Sequence, residues 1–271
     1  MKNNLAVKTR TAISALAFAL GLWAVTVCAQ SNLVANGSFE AGPAGQGQFT
    51  DWWWTGPADN FSNYGVAQSS TPPHMAEQGS YFAYFRGHPT DSSQDCLGTT
   101  VNLKVGGLYE ISYYIGTEGS TLNTGAAMWA VIGPSFGIDP SDLMLTAYFP
   151  NSSNALPYQK FSTIYLATNT APILSFHGIN ATNGLNVTNG ILLDNVSMTL
   201  TYPPLSLNDS PPNSLHFTWP LTNSPYRLQS KPSLTATNWV TLTNVPVNAG
   251  TNNQIVLAPS TNMQFFRLTL P

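Results

Sequence analysis

The clearest catalytic pattern in the sequence is "GPSFG" at positions 133–137, which fits the motif G-x-S-x-G. In serine hydrolases this motif holds the nucleophilic serine, here Ser135, on a sharp turn between a strand and a helix. An acid and a histidine elsewhere in the chain must then activate the hydroxyl group. The sequence offers candidates for these two roles at Asp139, Asp142, Asp194, His177 and His216. A serine hydrolase is therefore one possible function of this chain.

The residues around the motif do not supply the elements that such a hydrolase needs. No helical pattern follows Ser135, and the alternation of strands and helices on which these enzymes are built is missing. His177 lies within the strand-like run "ILSFHGI", and His216 belongs to a later block of the chain. The serine hydrolase is therefore kept only as an alternative.

The sequence shows no pattern typical of the other common classes of catalytic site. Glycoside cleavage needs two carboxyl groups that face each other across a sugar. The spacing singles out no such pair among Glu77, Asp91, Asp95, Glu110 and Glu118. The motifs of zinc proteases and of phosphate-binding loops are also missing. We therefore predict that the chain is not an enzyme and has no catalytic residues.

The elements that position any site in this chain are predicted to be strands. Alternating, β-branched and aromatic runs recur, separated by Gly, Pro, Asn and Ser, which is typical of an all-β sandwich. In "LYEISYYIG", Tyr109, Ile111 and Tyr113 share one face of a strand, while Glu110 and Tyr114 share the other. Helical periodicity is nearly absent from the chain.

A change of composition divides the chain after residue 202. Four prolines in "YPPLSLNDSPPN" (202–213) interrupt regular structure. We predict a first β domain over residues 31–202, a Pro-rich linker over 203–213, and a small β-sandwich domain over 214–271.

The N-terminus has the pattern of a secretory signal peptide. A basic head is followed by the apolar run "AISALAFALGLWAVTV" and by small residues before Gln30, which predicts a signal peptide over residues 1–29. A membrane anchor is the alternative, but the apolar run is short for a bilayer core. We expect a secreted or cell-surface protein with no membrane span after cleavage. Cys96 is then the one cysteine left, so no internal disulfide can form.

The overall charge argues against one class of partner. Only 8% of residues are charged and the net charge is −3, and no basic stripe is present for nucleic acid to contact. We expect a monomer that does not bind nucleic acid.

An ordered set of motifs in residues 31–202 resembles a known family. "NLVANGSFEAG", "FTDWWWTG", "GSYFAYF", "VNLKVGGLYEISYYIG" and "ILLDNVSMT" follow the order found in the carbohydrate-binding-module 4/9-like, galactose-binding-like jelly rolls of exported bacterial proteins. The resemblance implies a jelly-roll β-sandwich, with glycans bound in a groove on one sheet face in many members. The later block is similar to small terminal fibronectin-III-like or Ig-like β domains, a likeness that implies no chemistry.

The resemblance also implies a structural calcium ion. The acidic residue of the family's first motif corresponds to Glu40, and the aspartate of its last motif corresponds to Asp194. Carboxylates suit calcium, which takes several oxygen ligands. The motif departs at Asn195, where the family often has a second aspartate. The alternative is that Glu40 caps a turn and Asp194 bonds backbone amides.

A glycan-binding groove would need aromatic rings that stack on sugars and polar groups that bind hydroxyls. In an extended "WWW" segment, Trp52 and Trp54 share one face and Trp53 the other, and the family's pattern assigns Trp52 and Trp54 to the core. The candidate glycan-binding residues are Trp53, Tyr84, Arg86, Tyr114 and Trp129. We thus predict an exported, non-catalytic glycan-binding or adhesion protein, with a purely structural surface protein as a further alternative.

Overall fold

The protein is built of β-strands throughout the part of the chain that can be described. The computed structural model describes residues 31–42, 44–46, 49–55, 64–69, 75–85, 95–118, 126–135, 143–149, 155–180, 190–210, 214–221, 225–260 and 262–271. No helix within these ranges has the length and apolar character to cross a membrane. The strands are β1 (Gly45–Gln46), β2 (Trp53–Thr55), β3 (Tyr64–Gln68), β4 (Tyr81–Phe85), β5 (Asp95–Thr100), β6 (Leu108–Thr117), β7 (Ala126–Gly133), β8 (Leu143–Phe149), β9 (Leu156–Leu166), β10 (Ile173–Asn180), β11 (Ile191–Thr201), β12 (Ser206–Ser210), β13 (Ser214–Pro220), β14 (Arg227–Lys231), β15 (Val240–Thr241), β16 (Val247–Ala249), β17 (Asn252–Leu257) and β18 (Phe265–Thr269).

Two antiparallel sheets form the first sandwich. The six-stranded sheet has the order β1-β3-β4-β11-β6-β9, and the five-stranded sheet has the order β2-β5-β10-β7-β8. Strands that are consecutive in the sequence are often not adjacent in a sheet, because the chain crosses repeatedly between the two sheets. The all-β fold class predicted from the sequence is confirmed.

The core of this sandwich follows from the alternation along its strands. On β6, Ile111, Tyr113 and Ile115 are fully buried while the residues between them are partly exposed. The Tyr113 ring meets Phe176 of the five-stranded sheet edge-on, with ring centroids 5.1 Å apart. These contacts join the two sheets face to face into one hydrophobic core.

A second, smaller sandwich follows. Its sheets have the orders β12-β13-β17-β16 and β15-β14-β18, and Phe217 of one sheet packs on Phe266 of the other at 4.4 Å between ring centroids. The first of these strands, β12, lies inside the segment predicted as a linker and pairs with β13. Regular structure is possible there because β12 lies between the two proline pairs and at the edge of its sheet.

The two sandwiches touch each other through an apolar contact and a shared tyrosine. Leu108 and Leu200 of the first sandwich pack against the core of the second. The Tyr226 hydroxyl accepts a hydrogen bond from the Leu108 amide at 3.2 Å and donates one to the Thr201 carbonyl at 3.1 Å. The junction is therefore a packed interface.

Candidate functional site

The three consecutive tryptophans point in different directions, as the alternation of a strand requires. Trp52 is 5% exposed and its ring lies 5.4 Å from that of Phe39. Trp54 packs against the same core, whereas Trp53 is 37% exposed. The predicted division of the three side chains is confirmed. Trp53 alone is presented on the surface.

Strand register places Trp53 and Trp129 on the same outer face of the five-stranded sheet. Trp53 lies opposite Gly98, and Gly98 lies opposite Ser175. In the next row of the same face, His177 lies between Cys96 and Trp129. The intervening residues Leu97 and Phe176 belong to the core. We name this surface, formed by Trp53, Cys96, Ser175, His177 and Trp129, the outer face.

The two indoles on the outer face are well separated. They lie three strand spacings and two residues apart, which corresponds to roughly 16 Å between their Cα atoms. That distance is several times the width of one sugar ring. Trp129 is partly buried, whereas Trp53 is exposed.

A compact polar group lies between the two indoles. His177 Nε2 is 3.3 Å from Cys96 Sγ and 3.0 Å from Ser175 Oγ. His177 and Cys96 are 5% exposed and Ser175 is 1% exposed. Burial lowers the pKa of His177 to about 4, so its imidazole is neutral at neutral pH. A neutral ring can both donate and accept hydrogen bonds.

Ser175 and His177 were not predicted from the sequence as part of this surface. In "ILSFHGI" they alternate with Leu174 and Phe176, which are buried in the core. Two polar residues on one face of an otherwise apolar strand were the available signal.

Two further predicted glycan-binding residues, Tyr84 and Tyr114, lie on the six-stranded sheet and not on the outer face. Tyr84 is 7% exposed and belongs to a small apolar cluster with Phe82 and Leu192 on the six-stranded sheet. Tyr114 lies on that sheet too, opposite Asp194. Arg86 falls outside the described residues. Of the five candidates, the structure thus brings together Trp53 and Trp129.

The two predicted calcium ligands meet at one segment of the chain. Glu40 Oε1 accepts hydrogen bonds from the amides of Ser80 and Tyr81, at 2.8 and 2.7 Å. Asp194 Oδ2 accepts hydrogen bonds from the amides of Glu77 and Gln78, at 2.8 and 3.0 Å. Both carboxylates therefore hold residues 77–81, although they come from opposite ends of the domain. The bonds from backbone amides to Asp194 are also those expected under the alternative in which no calcium is bound.

Local backbone geometry explains the sequence at this segment. Gly79 has a φ of +76°, and a Cβ there would lie 2.5 Å from the Glu40 carboxylate. A Cβ on Gly37 would overlap the carbonyl oxygen of Val196, whose amide donates to the Gly37 carbonyl at 2.7 Å. Only glycine allows both close approaches. The "NGSFE" motif therefore packs its backbone directly against β11.

Asp194 occupies an irregular position in β11. The pairing of β11 with β6 shifts register between Asp194 and Ser197, and Asn195 has a φ of +49°. A bulge of this kind redirects side chains. The Asn195 side-chain amide donates a hydrogen bond to Glu77 Oε2 at 3.1 Å, which links Glu77 to the same region.

Burial raises the pKa of two groups in this region, the Asp194 carboxyl group and the Tyr158 phenol. Asp194 is fully buried, and burial raises its pKa to about 7, against the lowering effect of its three backbone hydrogen bonds. The Tyr158 hydroxyl is buried without a hydrogen-bond partner. Burial raises the pKa of Tyr158, and Asp194, Glu77 and Glu118 raise it further. Within the described ranges no group of three or more His, Cys, Asp or Glu residues could hold a metal ion, so carbonyl oxygens would have to complete a calcium site.

Among the described residues, His177 does not lie beside Ser135. Ser135 is exposed just after β7, six residues beyond Trp129, which lies opposite His177. That separation along the strand is roughly 20 Å. His216 bonds Ser214 and Gln254 in the second sandwich, and Asp139 and Asp142 lie outside the described residues. The hydrogen-bonded serine and histidine that the motif requires are therefore not formed with His177.

Comparison with known proteins gives structural likenesses only. No family model and no curated protein matches the sequence. TmCBM61 in complex with β-1,4-galactotriose is similar at 17% identity and a TM-score of 0.44, over 64% of this chain and 100% of that one. A CBM4 structure is similar at 17% identity and a TM-score of 0.39, over 62% and 99%. The arabinose-bound α-L-arabinofuranosidase MgGH51 is similar at 14% identity and a TM-score of 0.45, over 63% and 26%. These values are too low to assign a ligand or an activity to this chain.

Proposed function

We propose that this chain is an exported, non-catalytic protein that binds carbohydrate or adheres to a glycan-bearing surface through the outer face. The observation that carries this proposal is the presence of Trp53 and Trp129 on one sheet face, with Ser175 and His177 between them. The order of the sequence motifs in residues 31–202 supports it independently.

The chemistry of the outer face suits a sugar chain. Indole rings stack on the apolar faces of sugars while their N–H groups remain able to donate hydrogen bonds. The wide spacing of the two rings suits an oligosaccharide that lies across the strands and contacts both.

One observation favours a purely structural role as the second candidate. Cys96, Ser175 and His177 already satisfy one another and are almost fully buried. A buried polar group of this kind can have a purely structural role, which is to hold the two strands β5 and β10 in register. In that case Trp53 is an ordinary exposed aromatic residue.

Calcium is proposed as a structural ion near residues 77–81. The two carboxylates that converge there, the raised pKa of Asp194 and the proximity of Glu77 support this proposal. Glu40, Asp194 and Asn195 would supply side-chain oxygens, with backbone carbonyl oxygens as further ligands. When bound, the ion would neutralise the buried carboxylate and tie the first segment of the domain to its last strand.

The binding proposal is tested with the mature chain against plant, algal and bacterial polysaccharides. We expect Trp53→Ala and Trp129→Ala each to weaken retention of the bound polysaccharide by about tenfold or more, because each removes a stacking platform worth about 1–2 kcal/mol. Trp239→Ala is the matched control. Trp239 lies in the second sandwich, 4.7 Å from Lys231 Nζ and 4.3 Å from the Arg267 guanidinium carbon, measured to its ring centroid.

Three other outcomes point elsewhere. No binding to any polysaccharide by a correctly folded chain would favour the structural role. Loss of binding in Trp239→Ala alone would move the site to the second sandwich. Ester hydrolysis that disappears in Ser135→Ala would contradict both non-catalytic functions.

A further inference from the structure

A cleft of about 880 Å³ lies where the two sandwiches meet, away from the outer face. One wall is formed by four consecutive residues of β18, Phe266 to Thr269. The opposite wall is formed by the first described residues and by the segment from the end of β11 onward. Its residues are Ser31, Leu33, Leu200, Tyr202, Pro203 and Leu205. We name this feature the junction cleft.

The wall formed by β18 is a strand edge. Among the described strands, β18 pairs with β14 on one side only. The Leu228 carbonyl accepts a bond from the Leu242 amide on the β15 side, so the backbone groups of Arg227, Gln229 and Lys231 point toward β18. Their partners on β18 are Thr269, Arg267 and Phe265. The backbone N–H and C=O groups of Phe266 and Leu268 therefore point away from β14, toward the junction cleft.

The wall opposite β18 is suited to the side chains of a strand added to the β18 edge. It is mainly apolar and half-exposed, and Tyr202 is 42% exposed. An extended peptide could bond the free edge of β18 and bury alternate side chains against this wall. A sugar chain would find few polar side chains there, since Ser31, Tyr202, Arg267 and Thr269 are the polar residues of the lining.

Charge distinguishes between possible peptide partners. Arg267 is the charged residue of the lining, and it is held by its Nε bond to Gln229 at 2.9 Å and by stacking on Trp239. A second copy of this chain that paired Phe266 with Leu268 of its partner would set two Arg267 residues opposite each other. Like charges directly opposite on paired strands are destabilising. A neutral or acidic strand from a different protein fits this edge better.

We propose that the junction cleft binds an extended, apolar and neutral-to-acidic peptide segment of another protein, which adds to β18 as a new strand. Main-chain hydrogen bonds to Phe266 and Leu268 supply affinity in this mode, and the apolar wall selects the side chains. This site is independent of the outer face.

The test uses the mature chain and fluorescent decapeptides of alternating Val and Thr with a central Glu, measured by fluorescence anisotropy. We expect saturable binding that weakens about tenfold or more when the amides of the pairing edge are N-methylated, because N-methylation removes donors and leaves the side chains unchanged. Ser31→Trp fills the mouth of the cleft and should weaken binding to a similar extent. The matched control Asn102→Trp places the same ring on an exposed loop and should bind normally.

Charge provides a second readout that does not depend on a bulky substitution. A central Lys in place of Glu should weaken binding to the native chain, and Arg267→Glu should reverse that preference. Equal binding of the N-methylated peptide would overturn the proposal. Failure of every peptide to bind would also overturn it. In that case, dimerisation in sedimentation that Ser31→Trp abolishes would identify a second copy of the chain as the occupant, and oligosaccharide binding that Ser31→Trp abolishes would identify a sugar.

Discussion

At the scale of single residues, the interior contains one tyrosine hydroxyl without a hydrogen-bond partner and one with two. The Tyr113 hydroxyl is fully buried in the first core and has no hydrogen-bond partner. The Tyr226 hydroxyl is also buried, but it makes two hydrogen bonds across the junction. Burial raises the pKa of both phenols, so both remain neutral.

These two tyrosines give a matched pair of substitutions. Tyr113→Phe removes an unsatisfied hydroxyl and should leave the free energy of unfolding unchanged or raise it by about 1 kcal/mol. Tyr226→Phe leaves the Leu108 amide and the Thr201 carbonyl without that partner and should cost about 1–2 kcal/mol. Urea unfolding of both variants checks the difference. A Tyr113→Phe variant less stable than Tyr226→Phe would contradict the assignment.

His177 should make stability depend on pH. Its pKa of about 4 in the folded protein lies below the usual value near 6.5, so protonation favours the unfolded chain. The stabilisation is complete above about pH 6.5 and is lost as the pH falls toward 4, by up to about 3 kcal/mol. The difference in unfolding free energy between the native chain and His177→Gln, measured from pH 7.5 to 4, should shrink accordingly. A constant difference would show that His177 is not buried as a neutral group.

At the scale of elements, residues 77–81 depend on two distant parts of the chain. Glu40 lies in the first described segment and Asp194 lies in β11, yet both accept hydrogen bonds from residues 77–81. The bulge at Asp194 and the glycines at positions 37 and 79 make the approach possible. An ion at this point would therefore stabilise the closure of the six-stranded sheet.

Calcium should raise the melting temperature of the mature chain, and EDTA should lower it. A ligand at one hundred times its Kd adds about 2.7 kcal/mol to the unfolding free energy. Glu40→Gln and Asp194→Asn should abolish the response. Glu110→Gln is the control, because this carboxylate lies on β6 opposite Ile164 and Thr199. A melting temperature that is indifferent to chelation would remove Glu40 and Asp194 from the site.

At the scale of the whole molecule, the two sandwiches share buried surface. Leu108 and Leu200 count toward the second core although they belong to strands of the first. A Cβ on Gly107 would lie 3.1 Å from the Leu270 side chain, which shows how closely the chain end packs on the first sandwich. An interface of this kind couples the stabilities of its two sides.

The mature chain should therefore unfold in a single calorimetric transition. A fragment ending at residue 205 exposes Leu108 and Leu200, so it should melt at a lower temperature than the intact chain. Two resolved transitions in the intact chain, with the first sandwich unaffected by truncation, would show that the sandwiches are independent.

The sequence by itself determined the class of the fold and the direction of many side chains. Alternation in "LYEISYYIG" gave the buried face of β6, and the same period separated Trp53 from Trp52 and Trp54. These features are local, because a strand imposes a period of two on any chain that adopts it. The strand β12 was missed because prolines on both sides read as a linker, whereas an edge strand tolerates them.

Only the tertiary structure decided which residues meet. Trp53 and Trp129 are far apart in the sequence, and strand order places them on one face with Ser175 and His177. The same order placed Tyr84 and Tyr114 on the other sheet, and brought Glu40 and Asp194 to residues 77–81. Strand pairing over long sequence separations depends on the packing of the whole core, which no local pattern specifies.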